Sequence, residues 1–195
     1  MYFGIIILIF FLVMSIQRIW ETFFKTRKTP GTIINKWSLD ILISIHVIII
    51  SISIIEYFYM PKSINYIISI VGFFLYFLAL LGRHWSSKAL GEFHSPHVEI
   101  RDNHVLISNG PYKYFRHPYY LSVILEFIGF PLIPNSYIAL AVSLFLYIPL
   151  LYIFRVFLEE KAMIKKFGPQ YIKYINKTIG LYPKKIILRV PLKIG

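Results

Sequence analysis

A chain of 195 residues with 57% hydrophobic and only 15% charged side chains departs from ordinary soluble domains, where about 25% of residues are charged, and reads as a membrane protein. Its formal net charge of +12 is spread between apolar runs, which argues against a nucleic-acid partner and for topology signals at a lipid surface. With no cysteine, disulfides, thiolate nucleophiles and Cys-ligated zinc are excluded.

A hydrocarbon core of about 30 Å needs about 20 apolar residues in a helix, and on that measure five spans are predicted. The first runs from about Tyr2 to Trp20 and carries Gln17, Arg18 and Glu21 at helical spacing near its end. No basic segment precedes it and no small-residue cleavage pattern follows, so it is expected to stay as a membrane helix. The second runs from about Ser38 to Met60, where Pro61 stops it, and the third from about Ile64 to Gly82. A short fourth span covers about Pro118 to Ile133, and after Pro134-Asn135-Ser136 a fifth runs from Tyr137 to about Phe154, the two forming a helical hairpin.

Lysine and arginine fall almost wholly in alternate connections, from Arg18 to Lys36, from Arg83 to Arg116 and from Arg155 to Lys193, with Lys62 on the other side. That bias predicts an N-terminus outside and a cytoplasmic C-terminus. Residues 1–82 are then three N-terminal membrane helices, and 83–195 a catalytic region of cytosolic loop, helical hairpin, amphipathic helix and basic tail. The fold expected is an all-α membrane protein of about five transmembrane helices, its active site built on the cytosolic face from that loop and the C-terminal helix.

Within the loop, Val98-Glu99-Ile100 and Val105-Leu106-Ile107 flank Asp102-Asn103, a pattern that predicts a turn between two short extended pieces. From Arg155 to Asn176 the spacing predicts an amphipathic helix broken at Gly168-Pro169, with basic residues toward anionic lipid headgroups.

Three groupings can carry chemistry. Arg155 and Glu159 stand one helical turn apart beside Glu160, either as a helix-end ion pair or as a guanidinium fork and a carboxylate facing a ligand. His117 precedes Pro118, which suits the first turn of a helix, among Tyr112, Tyr114, Tyr119 and Tyr120; the rings serve an interfacial aromatic belt or stack on a purine or sulfonium. Glu126 and His46 lie at membrane depth, where Glu126 either pairs with Arg18 or His46 or lines a cavity. His84, His94, His97 and His104 lack the spacing of a metal site, and no glycine-rich nucleotide loop is present.

The ordered set His104-x-Leu-Ile-x-x-Gly-Pro-Tyr112, Arg116-His-Pro-x-Tyr120, Arg155-x-x-x-Glu159-Glu160, Phe167-Gly-x-x-Tyr171-x-x-Tyr174 and Leu181-Tyr-Pro183 resembles the isoprenylcysteine carboxyl methyltransferase family. The resemblance implies an integral-membrane enzyme that uses S-adenosyl-L-methionine. It places the cofactor pocket at His104, Val105, Leu106, Ile107, Tyr112, His117, Pro118, Tyr119 and Tyr120, with Arg155, Glu159 and Glu160 toward the acceptor. Gln17-Arg18-x-x-Glu21 and the Glu126-bearing helix look like a bacterial branch of that family, which implies a bacterial cytoplasmic membrane. The acceptor implied is a lipophilic small molecule or a prenylated substrate; an alkylpyrone-type hydroxyl and an NADPH-dependent sterol-type reduction are the alternatives.

Overall fold

A computed structural model describes residues 2–24, 31–35, 37–60, 63–101, 103 and 105–181. Six helices account for most of it: α1 Tyr2–Ile19, α2 Trp37–Tyr59, α3 Tyr66–Leu90, α4 Pro118–Leu132, α5 Tyr137–Phe167 and α6 Pro169–Lys177. Stretches within α1–Thr22, α2, α3–Phe93 and α5 are long and apolar enough to cross a membrane, while α4, with 15 residues, is about 22 Å long and short of a full crossing. The chain is an integral membrane protein.

Two expected boundaries move. The third span does not end near Gly82: α3 continues to Leu90, so Arg83 stands inside a helix. The extended piece Val98–Arg101 (β2) pairs antiparallel with Gly31–Asn35 (β1), from the α1–α2 connection, in the register Thr32 to Ile100 and Ile33 to Glu99. Of the two expected extended pieces only the first is a strand; Asn103 lies in a turn, and Val105–Ile107 joins no ladder. Sequence neighbours lost to a segment about 65 positions away, because the ladder partner is chosen by where the spans deliver each loop.

α3 and α4 approach each other closely through their backbones. A Cβ on Gly72 would lie 2.8 Å from Gly129 O, and one on Gly129 would lie 2.8 Å from Tyr76 N. Small residues let membrane helices pack backbone to backbone. Gly129→Val is therefore expected to cost about 2–4 kcal/mol by forced separation of the pair, read as a lower thermal midpoint in detergent; an unchanged midpoint would contradict the packing.

The end of the bundle away from β1 and β2 is tied by polar groups. Glu56 of α2 accepts from the first backbone amides of α5, Tyr137 N at 2.8 Å and Ile138 N at 3.0 Å, where the helix dipole favours a carboxylate. Asn135, at φ +58°, gives Nδ2 to Ser69 Oγ at 2.9 Å and accepts from Asn65 N at 2.8 Å. The α4–α5 hairpin is thereby pinned to α2 and α3, which leaves the other ends of these helices to form the site.

Candidate active site

Three arginines that composition alone would count as topology signals, Arg83, Arg116 and Arg155, are buried inside the fold. Arg116, just before α4, gives Nε to Glu160 Oε1 at 2.8 Å and Nη1 to the carbonyls of Ile175 and Thr178 at 3.3 Å each. The same Glu160 oxygen lies 2.8 Å from His117 Nε2. One carboxylate on α5 thus holds the start of α4 and, through Arg116, the end of α6.

The α6 end is fastened further by a short parallel bridge between Phe115 and Ile179, with Arg116 N to Ile179 O at 2.9 Å. A Cβ at Gly180 would collide with the Arg116 guanidinium, so glycine is required by the close approach. Gly168, at φ +50°, reverses the chain between α5 and α6 as the Gly168-Pro169 break predicts. Tyr174 then reaches Tyr112 O with its hydroxyl at 2.7 Å.

Together these elements enclose a cavity of about 280 Å³. Of the residues expected at a cofactor pocket, Leu106, Ile107, Tyr112, His117, Tyr119 and Tyr120 line it, and so do Arg155 and Glu159. Val105 is exposed, Pro118 is the buried first residue of α4, and Glu160 is buried against Arg116 and His117 without being part of the lining. His104 lies outside the described residues.

Arg155 and Glu159 reach different partners. Glu159 Oε2 accepts from Tyr120 OH at 2.7 Å, and Arg155 gives Nη1 to Ser38 Oγ at 3.2 Å and Nη2 to Pro96 O. Ser38 follows β1 and Pro96 precedes β2, so Arg155 straps the small sheet to α5. His117 Nδ1 is buried without a hydrogen-bond partner and lies 3.9 Å from Glu159 Oε1.

Sequence reading missed Arg83. It is 1% exposed, with Nε 3.0 Å from Glu21 Oε2 and Nη1 against Glu126 Oε2, while Arg18 Nη2 is 2.9 Å from that same Glu126 oxygen. The expected Arg18–Glu126 contact is present; the second arginine was hidden by its place in a loop-like run of basic residues. Ser38 and Pro96 likewise carry no local pattern; Arg116 belongs to the Arg116-His-Pro motif, but its contact with Glu160 does not follow from local spacing.

Burial raises the Tyr112 hydroxyl well above the ordinary tyrosine range, helped by the Glu159 carboxylate, and burial with Glu160 and Glu159 does the same for Tyr171. Both stay protonated in the folded chain where an unfolded tyrosine ionises, so their contribution to stability is complete below about pH 10 and declines above it. The thermal midpoint in detergent should fall as pH rises past about 10, with a shallower fall for Tyr171→Phe; identical slopes would contradict this.

Apolar spans with an aromatic, arginine-bearing cavity at one end define an integral membrane protein with an internal cavity. This chain matches the model of the isoprenylcysteine carboxyl methyltransferase (ICMT) family over residues 70–165. Among curated proteins it is 31% identical over 81 residues to the uncharacterized protein YpbQ of Bacillus subtilis, covering 42% of this chain and 48% of that one. It is 32% identical over 109 residues to the protein-S-isoprenylcysteine O-methyltransferase of Saccharomyces cerevisiae, 52% of this chain and 44% of that one. The cobalt-zinc-cadmium resistance protein CzcN of Cupriavidus metallidurans is 27% identical over 112 residues, 57% and 47% respectively. The chain spans about half the length of the curated relatives it matches.

Proposed function

We propose that this chain is an S-adenosyl-L-methionine-dependent O-methyltransferase acting on a lipophilic acceptor, with its site at the cytosolic face. The observation that carries the reading is the cavity itself, which gathers tyrosines, an orphaned His117 nitrogen and the Arg155–Glu159 turn from four separate segments.

S-adenosyl-L-methionine, when bound, supplies a methyl group on a sulfonium that an acceptor oxygen can attack. The residues fit such a group: Tyr112, Tyr119 and Tyr120 offer ring faces to a purine or a cation, and His117 Nδ1 has hydrogen-bonding capacity unused by the protein. Glu160 acts as the positioning residue for His117 and Arg116.

Displacement at a methyl group asks the protein mainly for orientation and exclusion of water, and orientation is worth up to about 7–11 kcal/mol. Arg155 aims a carboxylate acceptor, which is already ionised and requires no base. A hydroxyl acceptor requires one, and Glu159, partly exposed and bonded to Tyr120, is the carboxylate that lines the cavity beside it. The likeness to the yeast protein-S-isoprenylcysteine O-methyltransferase supports a prenylated cysteine as acceptor; a long-chain hydroxylated ring is the second acceptor class.

His117→Ala is expected to weaken S-adenosyl-L-methionine binding by about tenfold while leaving the fold intact, since Arg116 still holds Glu160. Transfer of a labelled methyl group from the donor to a prenylated N-acetylcysteine or a long-chain hydroxypyrone tests the activity. Absence of transfer to either, with donor binding unaffected by His117→Ala, would refute the assignment.

A further inference from the structure

The cavity has a second polar wall that the Arg155–Glu159 turn does not explain. Its α1 and α2 side is largely aliphatic, from Leu42, Ile43, Val47 and Ile50, yet Arg18 and His46 are set among these residues and also line the space.

Arg18 is fixed at one end by Glu126 at 2.9 Å, and that Glu126 oxygen also serves Arg83, which has Glu21 as a further partner. Arg18 therefore shares its counter-ion, and its charge is only partly offset where it meets the cavity. His46 packs edge-on against Phe127, with ring centroids 4.8 Å apart, and its Nε2 is buried with no hydrogen-bond partner. A guanidinium held in place and an unpartnered imidazole nitrogen on one greasy wall form a recognition site for oxygen, because buried polar atoms are ordinarily satisfied.

We propose that Arg18 and His46 form an acceptor subsite that binds an acceptor oxygen other than the one receiving the methyl group. The acceptor head is then a delocalised anion with two oxygens, either a carboxylate or the enolate of a 1,3-dicarbonyl ring. In the transfer an acceptor oxygen gains the new O–CH3 bond, the S–CH3 bond breaks with its electron pair passing to sulfur, and the acceptor loses its negative charge. The neutral product no longer balances Arg18, which favours its exit toward lipid. The inference rests on the methyltransferase reading above and adds to it the residues that select the acceptor.

Removing Arg18 leaves Glu126 paired with Arg83, so Arg18→Gln is expected to fold. The test is calorimetry on the full chain in detergent saturated with S-adenosylhomocysteine. Three lipids with side chains of matched length are titrated: a prenylated N-acetylcysteine, a 4-hydroxy-2-pyrone and a simple phenol. Expected is binding of at least one two-oxygen lipid on the order of 100-fold tighter than the phenol. Arg18→Gln should remove that gap, His46→Ala should narrow it by about tenfold, and Arg18→Lys should restore part of it, all with S-adenosylhomocysteine affinity unchanged. Which of the two lipids binds tells carboxylate from enolate. A wild-type protein that binds the phenol equally well, or an Arg18→Gln variant that keeps the gap, overturns the subsite. Failure of S-adenosylhomocysteine to bind at all instead overturns the underlying methyltransferase reading, and the subsite with it.

Discussion

Arg155→Ala is expected to lower acceptor turnover by about 100- to 1,000-fold while changing donor affinity by no more than about twofold. Among the described residues, the two hydrogen bonds of Arg155 go to neutral oxygens, Ser38 Oγ and Pro96 O, which leaves its charge for the cavity that it lines. Its removal loses that charge and also frees the strap on β1 and β2, of which Val98 and Glu99 of β2 line the cavity. Arg155→Lys keeps the charge but not the planar fork that spans two segments, and should recover only a minor part of the rate. Steady-state kinetics with separate titrations of donor and acceptor make the check. Equal loss of donor affinity would move Arg155 out of the acceptor side.

Arg116→Ala should be the most destabilising single change in the site, by about 3–5 kcal/mol. It strips Glu160 of its guanidinium and leaves the carbonyls of Ile175 and Thr178 unpaired at the end of α6. Glu160→Gln keeps the shape and is expected to cost less, about 1–3 kcal/mol. The double variant Arg116→Ala, Glu160→Ala should be milder than the sum of the single changes, because neither leaves the other's charge buried. Thermal unfolding in detergent reads the midpoint, and limited proteolysis reads whether α6 detaches first. A midpoint within error of the parent for Arg116→Ala would remove this clasp from the account.

What could be read in advance followed the physics of local pattern. Hydropathy length found the four long spans, the Pro118 start and the Gly168-Pro169 break, since each depends on residues adjacent in sequence. The short α4 was legible as short. What escaped depends on contacts between distant segments: β1 against β2, Arg155 against Ser38 and Pro96, and Arg83 against Glu126 across 43 positions. Arg83 is the clearest case. In a membrane chain a basic residue just past an apolar run reads as a topology signal, and only the continuation of α3 to Leu90 carries it inside, where two carboxylates meet it. At the site, Tyr112, His117, Tyr119, Tyr120, Arg155 and Glu159 do share one cavity, whereas Glu160 supports it from behind and Val105 faces outward.

Calorimetric titration of the detergent-purified chain with S-adenosyl-L-methionine and, separately, NADPH decides whether the cavity takes a sulfonium methyl donor. Saturable one-to-one binding of S-adenosyl-L-methionine, weakened by His117→Ala, is expected, with no heat from NADPH. Binding of NADPH alone would contradict it and turn the same cavity into the site of a reductase.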